Sequence, residues 1–327
     1  MRSTVTMMTM GPSTGSFGGS PAMSHHTTMS QHSVLSGALT SSRRARLGRL
    51  ATASAVTAAL LLLGGGAAQA GRGGSPQKIA SAISSGSADA IKAELERAEY
   101  LVCAACVGHV LPLIDSNDVS VREVAAWWLV RRGTGRQVYR DMLTRLSQPD
   151  SVKARNAADV LGEFAYPQAI PALGAALSNP IFDAEARAAM ARALGSIRRP
   201  AAAAPLQAAL GDREAPVRAA AVSALRKVEG FRDGSVAVPL VADADATVRS
   251  EAIYTVAEFR TAAAASALVN ALETDTSADV RKRAAWALGQ IHASVAVAGP
   301  ALNKASQTDA SPLVRSLART AIAGLSR

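Results

Sequence analysis

One nine-residue phrase, V-R-x-x-A-A-x-A-L, recurs along most of the chain and constrains its fold more than any other feature. It reads VREVAAWWL at 121–129, VRAAAVSAL at 217–225, VRSEAIYTV at 248–256, VRKRAAWAL at 280–288 and VRSLARTAI at 314–322. Looser copies are KARNAADVL at 153–161 and ARAAMARAL at 186–194. Successive copies start 32, 33, 31, 31, 32 and 34 residues apart, and a fixed period of this size is the mark of a repeat architecture. At about 100° per residue, positions 1, 4, 5, 8 and 9 share one side of a helix, and these are the Val, Ala and Leu slots. An Asp often stands just ahead (Asp118, Asp150, Asp183, Asp212, Asp245, Asp309), where a carboxylate can cap the helix N-terminus.

A second apolar stretch follows several of the phrases: IPALGAAL (170–177), APLQAAL (204–210), VPLVAD (238–243), SALVNAL (266–272) and GPALNKA (299–305). Pro171, Pro205, Pro239 and Pro300 recur in them, so each proline is expected near a helix start, where backbone N–H groups have no intrahelical partner. One unit is therefore a helix pair that cannot bury its apolar face alone. Stacking neighbours buries it, which predicts an all-α, right-handed α-solenoid of about seven to eight helix pairs over 88–327, preceded by a linker at 71–87. Motif and period resemble HEAT repeats, in particular the short HEAT-like class first associated with phycobilin lyases. The resemblance covers 118–327, with 88–116 as a less regular first unit. It implies a scaffold, and says little of activity, because such repeats serve many unrelated scaffolds and some enzymes.

Composition agrees with helices. Hydrophobic residues make up 49% but aromatics only 4%, too few for the pleated faces of a β-sandwich or barrel. The net charge of +10 is unevenly placed: five Arg and no acid lie in 1–70, leaving 30 basic against 25 acidic residues in 71–327. That mild surplus does not by itself imply a nucleic acid partner.

Residues 43–70 read as an export signal. Arg43, Arg44, Arg46 and Arg49 precede the uncharged run ATASAVTAALLLL (51–63), and Ala68 and Ala70 supply small side chains for cleavage after Ala70. An uncleaved membrane anchor is the alternative, since 51–70 is just long enough to span a bilayer of ~30 Å. Residues 1–42, rich in Ser, Thr, Gly and Met, are expected to be disordered, and Met29 is a candidate for the true start. The expected location is extracytoplasmic, periplasmic or secreted.

Four groups of residues invite a functional reading. Arg122, Arg187, Arg218, Arg249, Arg281 and Arg315 occupy position 2 of successive phrases, either as a cationic stripe or as a structural ladder to Asp or carbonyl groups of adjacent repeats; the ladder is favoured. Position 7, off the core face, holds Trp127, Tyr254 and Trp286 among polar residues (Asp159, Arg192, Ser223, Thr320). Its rings either meet a partner or cover a seam between repeats, while Trp128 at position 8 belongs to the core. The segment 122–155 carries eight basic against three acidic residues, centred on Arg131, Arg132, Arg136, Arg140 and Arg145. Arg131, Arg132 and Arg136 join the aromatic column as a candidate partner surface. Cys103 and Cys106, with His109 nearby, form the remaining cluster. A disulfide is the favoured reading in an oxidising compartment, with a reduced packing pair and redox or metal chemistry as alternatives.

No His-Glu dipeptide, Gly-x-Ser-x-Gly, phosphate-binding glycine loop or His-rich cluster occurs. The expectation is a non-enzymatic, exported, monomeric HEAT-repeat scaffold that binds another protein, without cofactor, metal or nucleic acid, and with membrane contact only if the signal segment stays uncleaved. Two alternatives stand beside it: an accessory or redox component using Cys103 and Cys106, and a lyase-like enzyme on the same scaffold.

Overall fold

Helix starts follow directly from the local sequence. Asp118, Asp150, Asp183 and Asp245 are N-caps in extended backbone whose side chains accept N–H groups of the first turn, and Ser75, Ser87 and Ser277 do the same elsewhere. The computed structural model describes residues 73–325. The segments 1–42, expected to be disordered, and 43–70, read from sequence as an export signal, lie outside the described residues. Among these, fifteen α-helices and seven short 3-10 segments account for the regular structure, and there is no strand.

The helices alternate between two layers. One layer holds α2 (Ala88–Arg97), α4 (Val119–Val130), α6 (Ser151–Phe164), α8 (Ala184–Ile197), α10 (Ala215–Leu225), α11 (Ala246–Glu258), α13 (Ala278–Gln290) and α15 (Pro312–Leu325), and each helix of this layer packs on the next. From α4 onward these carry the repeated phrase. The other layer holds α1 (Pro76–Ser84), α3 (Ala104–Val110), α5 (Gly135–Arg145), α7 (Ile170–Leu177), α9 (Ala203–Ala208), α12 (Ala265–Thr274) and α14 (Val295–Thr308). Between α10 and α11 the second-layer helix is replaced by two 3-10 turns, Gly234–Ala237 and Pro239–Ala242. The result is the stacked α-solenoid.

Three expectations need correction. The described part of the expected linker, 73–87, is not one: α1 starts on Pro76, capped by Ser75, and buries Ile79, so the stack begins one helix earlier. Pro300 is not near a helix start, because α14 begins at Val295 and encloses it. Asp212 and Asp309 are not N-caps of the phrase helices; α10 starts from Glu214 with no side-chain cap, and Asp309 is the C-cap of α14.

Position 10 of the phrase explains how close the first layer packs. A Cβ on Gly195 would lie 2.8 Å from Cβ of Ala224, and one on Gly162 would lie 3.2 Å from Cα of Ala193. In both cases glycine at position 10 faces alanine at position 8 of the next repeat. The pair at α10 and α11 is polar instead: Arg226 donates to Thr255 Oγ1 at 2.8 Å and to Glu251 Oε2 at 2.7 Å. The apolar core divides into two clusters at this seam, with α10 contributing to both.

Candidate functional site

Position 2 lies in the first turn of each phrase helix, so its guanidinium folds back over the loop just crossed. Arg218 donates through Nη1 to the carbonyls of Asp212 (2.8 Å) and Arg213 (3.0 Å). Arg122, Arg249, Arg281 and Arg315 treat their own loops in the same way. The opposite edge of the fork reaches the next repeat. Nε and Nη2 of Arg218 grip Asp243 at 2.8 and 2.7 Å, those of Arg249 grip Asp275 at 2.6 and 2.9 Å, and those of Arg281 grip Asp309 at 2.8 and 3.1 Å. Each of these carboxylates also accepts the backbone N–H two residues ahead, from Asp245, Ser277 and Ser311. Such bidentate charged pairs suit guanidinium geometry. The Arg218 fork holds the Asp243 carboxyl below the usual range, and Arg281 does so for Asp309.

Two rungs differ. Arg187 meets Asp212 through Nη1 alone and leaves Nε and Nη2 buried without a protein partner. Arg122 reaches Asp159 of the next phrase helix at 2.5 Å, and five residues before that phrase, where the other rungs have aspartate, stands Gln148. Asp159, grouped by sequence with the exposed position 7 column, is thus 6% exposed and paired. Arg122, Arg187, Arg218, Arg249 and Arg281 thus face seams between repeats, not an open stripe, while Arg315 bonds the carbonyls of its own loop.

The aromatic column is split. Tyr254 and Trp286 stack across the α11–α13 seam with centroids 5.5 Å apart and planes 15° apart. Arg226 lies over the Tyr254 ring at 4.7 Å. Trp286 is half-buried and Tyr254 38% exposed, so they seal a seam and still show one edge. A hollow of about 210 Å³ opens between Tyr254, Lys282, Arg283, Trp286 and Leu317. Trp127 stands apart, with the three phrase helices α6, α8 and α10 between it and Tyr254. It is half-buried beneath Arg131, whose guanidinium is 4.4 Å from the ring and whose Nη1 donates to the Trp127 carbonyl.

Arg132 leaves the candidate partner surface altogether. Its Nη2 donates to the carbonyls of Ala98 (3.1 Å), Glu99 (3.0 Å) and Leu101 (3.3 Å), and its Nη1 to that of Trp128. The guanidinium lies 3.3 Å over the fully buried Trp128 ring. Burial, then the neighbouring Arg131 charge, lower its pKa to about 10. Trp128 Nε1 donates to the same Ala98 carbonyl at 3.2 Å, so the two side chains together pin the chain after α2. Arg145 is spent on Asp115, and Arg140 holds Gln137, which leaves Arg136 as the exposed member of the proposed trio without a hydrogen bond or ion pair. The basic patch is therefore smaller than its charge count suggests.

Beside the pinned segment lies a cleft of about 880 Å³ with mostly apolar walls, formed by Glu99–Ala104, Val107 and Arg131–Thr134. Tyr100 and Val102 stand at it 88% and 98% exposed. Cys103 caps α3 and is joined to Cys106 by a disulfide with Cα atoms 5.3 Å apart. Sequence reasoning singled out the cysteines but missed the cleft, which no local pattern announces. His109 is exposed, and no group of three or more His, Cys, Asp or Glu among the described residues is placed to hold a metal. Among the same residues no helix is long and apolar enough to cross a membrane.

Solved structures with similar folds include YibA of Escherichia coli, at 19% identity over 73% of this chain and 87% of that one, with a TM-score of 0.48. The CpcE–CpcF complex of phycocyanin lyase from Nostoc matches at 21% identity, 69% and 96% coverage and a TM-score of 0.38. Human deoxyhypusine hydroxylase in complex with glycerol matches at 18% identity, 77% and 96% coverage and a TM-score of 0.34. No curated protein sequence matches the chain significantly. The family profile for HEAT repeats matches residues 139–226 and 235–323, more than half of the chain. With its paired helices, its period and its Arg–Asp rungs, the chain belongs to the HEAT-repeat family.

Proposed function

We propose that this HEAT-repeat protein is an exported scaffold that binds another protein through the Tyr254–Trp286 surface. The observation that carries the reading is the half-open aromatic stack itself, with Lys282, Arg283 and Leu317 around the adjoining hollow. Aromatic rings that combine a fixed orientation with an exposed edge and nearby arginine have the composition of interface hot spots. The cationic rim favours a partner segment with an acidic side chain next to an apolar one. Export rests on the basic run at 43–49 and the apolar run at 51–63.

Affinity capture from the envelope fraction with wild-type protein, then with Tyr254→Ala and Trp286→Ala, tests the surface. Each change is expected to weaken retention of the same partner by about 1–3 kcal/mol, as truncation of an aromatic anchor does. Unchanged retention together with a lowered melting temperature would instead make the stack a seam filler. Export is tested by N-terminal sequencing of the extracytoplasmic form, which should begin at Gly71 or a neighbour. Full-length protein confined to the cytosol overturns it.

A further inference from the structure

We propose that Cys103 and Cys106 form a thiol–disulfide exchange site, and that the adjoining cleft seats the apolar residues around a cysteine in an extended polypeptide. The proposal goes beyond partner binding by the aromatic surface and does not depend on it.

The first argument is that the disulfide braces nothing. It joins two residues within one helical turn, and cross-link stabilisation grows with the length of the loop closed, so a ring this short constrains the unfolded chain least. No second element is tied down by it. The segment Ala98–Leu101 is instead held by Arg132 and Trp128, as described above.

The second argument is asymmetry of access. Cys106 is 1% exposed, whereas Cys103 is partly exposed and lines the cleft. An incoming thiolate therefore reaches the Cys103 sulfur, with Cys106 on the buried side as leaving group. The Cys106 backbone N–H already points at Cys103 Sγ, 3.1 Å away, and would go on donating to a Cys103 thiolate. The third argument is the cleft. Val107 and Leu101 line it, and Tyr100 and Val102 stand unpacked at it. Such walls suit aliphatic side chains on either side of a cysteine better than a small charged thiol.

The exchange balances without an outside oxidant. A peptide thiolate attacks Cys103 Sγ, the Sγ–Sγ bond breaks, and its electron pair leaves on Cys106 Sγ, which takes a proton from solvent. A second peptide thiolate attacks the peptide sulfur of the mixed disulfide and expels the Cys103 thiolate, which is protonated in turn. One disulfide has passed to the peptide, and the protein holds two thiols.

The test uses the full chain and a synthetic peptide with two cysteines, each flanked by Leu and Val. Wild-type protein should be reduced by one equivalent of peptide at least about tenfold faster than by glutathione at equal thiol concentration. A peptide activated as its 2-pyridyl disulfide should label Cys106→Ser, with its free Cys103, about 100-fold faster than Cys103→Ser, whose remaining thiol is buried. The melting temperature of wild-type protein should fall by no more than about 5 °C on reduction, as expected for a ring this short in a domain of this size. Equal rates for glutathione and peptide, a faster Cys103→Ser variant, a disulfide inert to the peptide, or a large fall in melting temperature each overturn the proposal. The wild-type exchange and melting measurements stand even where a variant fails to fold.

Discussion

Arg122 shows how little of a side chain's role resides in its own position. Its guanidinium and the Asp159 carboxylate are 4% and 6% exposed, and the same guanidinium also satisfies two loop carbonyls. Removing one member of a buried pair leaves an uncompensated charge. Asp159→Ala is therefore expected to cost about 3–5 kcal/mol in chemical denaturation, whereas Arg122→Met with Asp159→Leu should recover most of it. An Asp159→Ala protein as stable as wild type would show that the rung bears no weight. The ladder also predicts an acid limit. Asp243 and Asp309 have carboxyls lowered from 3.8 chiefly by their arginine partners. A depressed folded value means that their contribution is whole above 3.8 and is lost as pH falls through the lower folded value. Thermal melts across the acid range should be flat above about pH 5 and drop below about pH 4, with a shallower drop for Asp243→Asn.

At the scale of the element, the first layer depends on backbone approach. Gly195 has no room for a side chain against Ala224, whereas Gly324 in α15 has nothing within 4 Å of an added Cβ. Gly195→Val should destabilise by about 1–3 kcal/mol through overpacking. Gly324→Ala should raise stability by about 0.5–1 kcal/mol, because alanine loses less backbone freedom in a helix. Melting curves of the two variants shifting in the same direction would contradict the close-packed layer. The exits of the phrase helices obey a rule of their own. Ala165, Arg198, Arg260 and His292 all take positive φ, between 49° and 63°, and all stand at position 13 counted from the phrase start. The left-handed residue turns the chain sharply towards the second layer. None of the four is glycine, so the customary signal for that turn is missing from the sequence.

Across the whole described stack, stability should behave as a sum of repeat and seam contributions, because each unit packs chiefly on its neighbours. Deleting 217–247 removes one period and brings Arg249 into the place of Arg218, leaving Arg187–Asp212 and Arg249–Asp275 as intact rungs. That variant is expected to remain soluble, helical and cooperative by circular dichroism. Deleting only half a period strands an apolar helix face and should give aggregate. Equal behaviour of the two deletions would count against a stack of equivalent units. The polar Arg226–Thr255–Glu251 contact, where the core clusters meet and the second-layer helix is reduced to 3-10 turns, is the seam at which the stack should open first in hydrogen exchange.

The sequence by itself determined the all-helical class, the period, the phase of each phrase helix and the burial of Trp128, because all of these follow from which residues recur on one side of a 3.6-residue turn. It also marked the position 2 arginines, since a charged residue at a fixed place beside a core face needs a partner in every unit. Only the tertiary structure decided who the partners are. Asp159 serves Arg122 from 37 residues away, Arg132 turns inward to three carbonyls, and Tyr254 finds Trp286 across a seam. It also built the cleft beside Cys103 from two loops roughly one period apart. Local periodicity fixes which way a side chain leaves its own helix. What it meets there depends on the helix stacked next to it, and that relation is set by packing between repeats rather than by any stretch of chain within one.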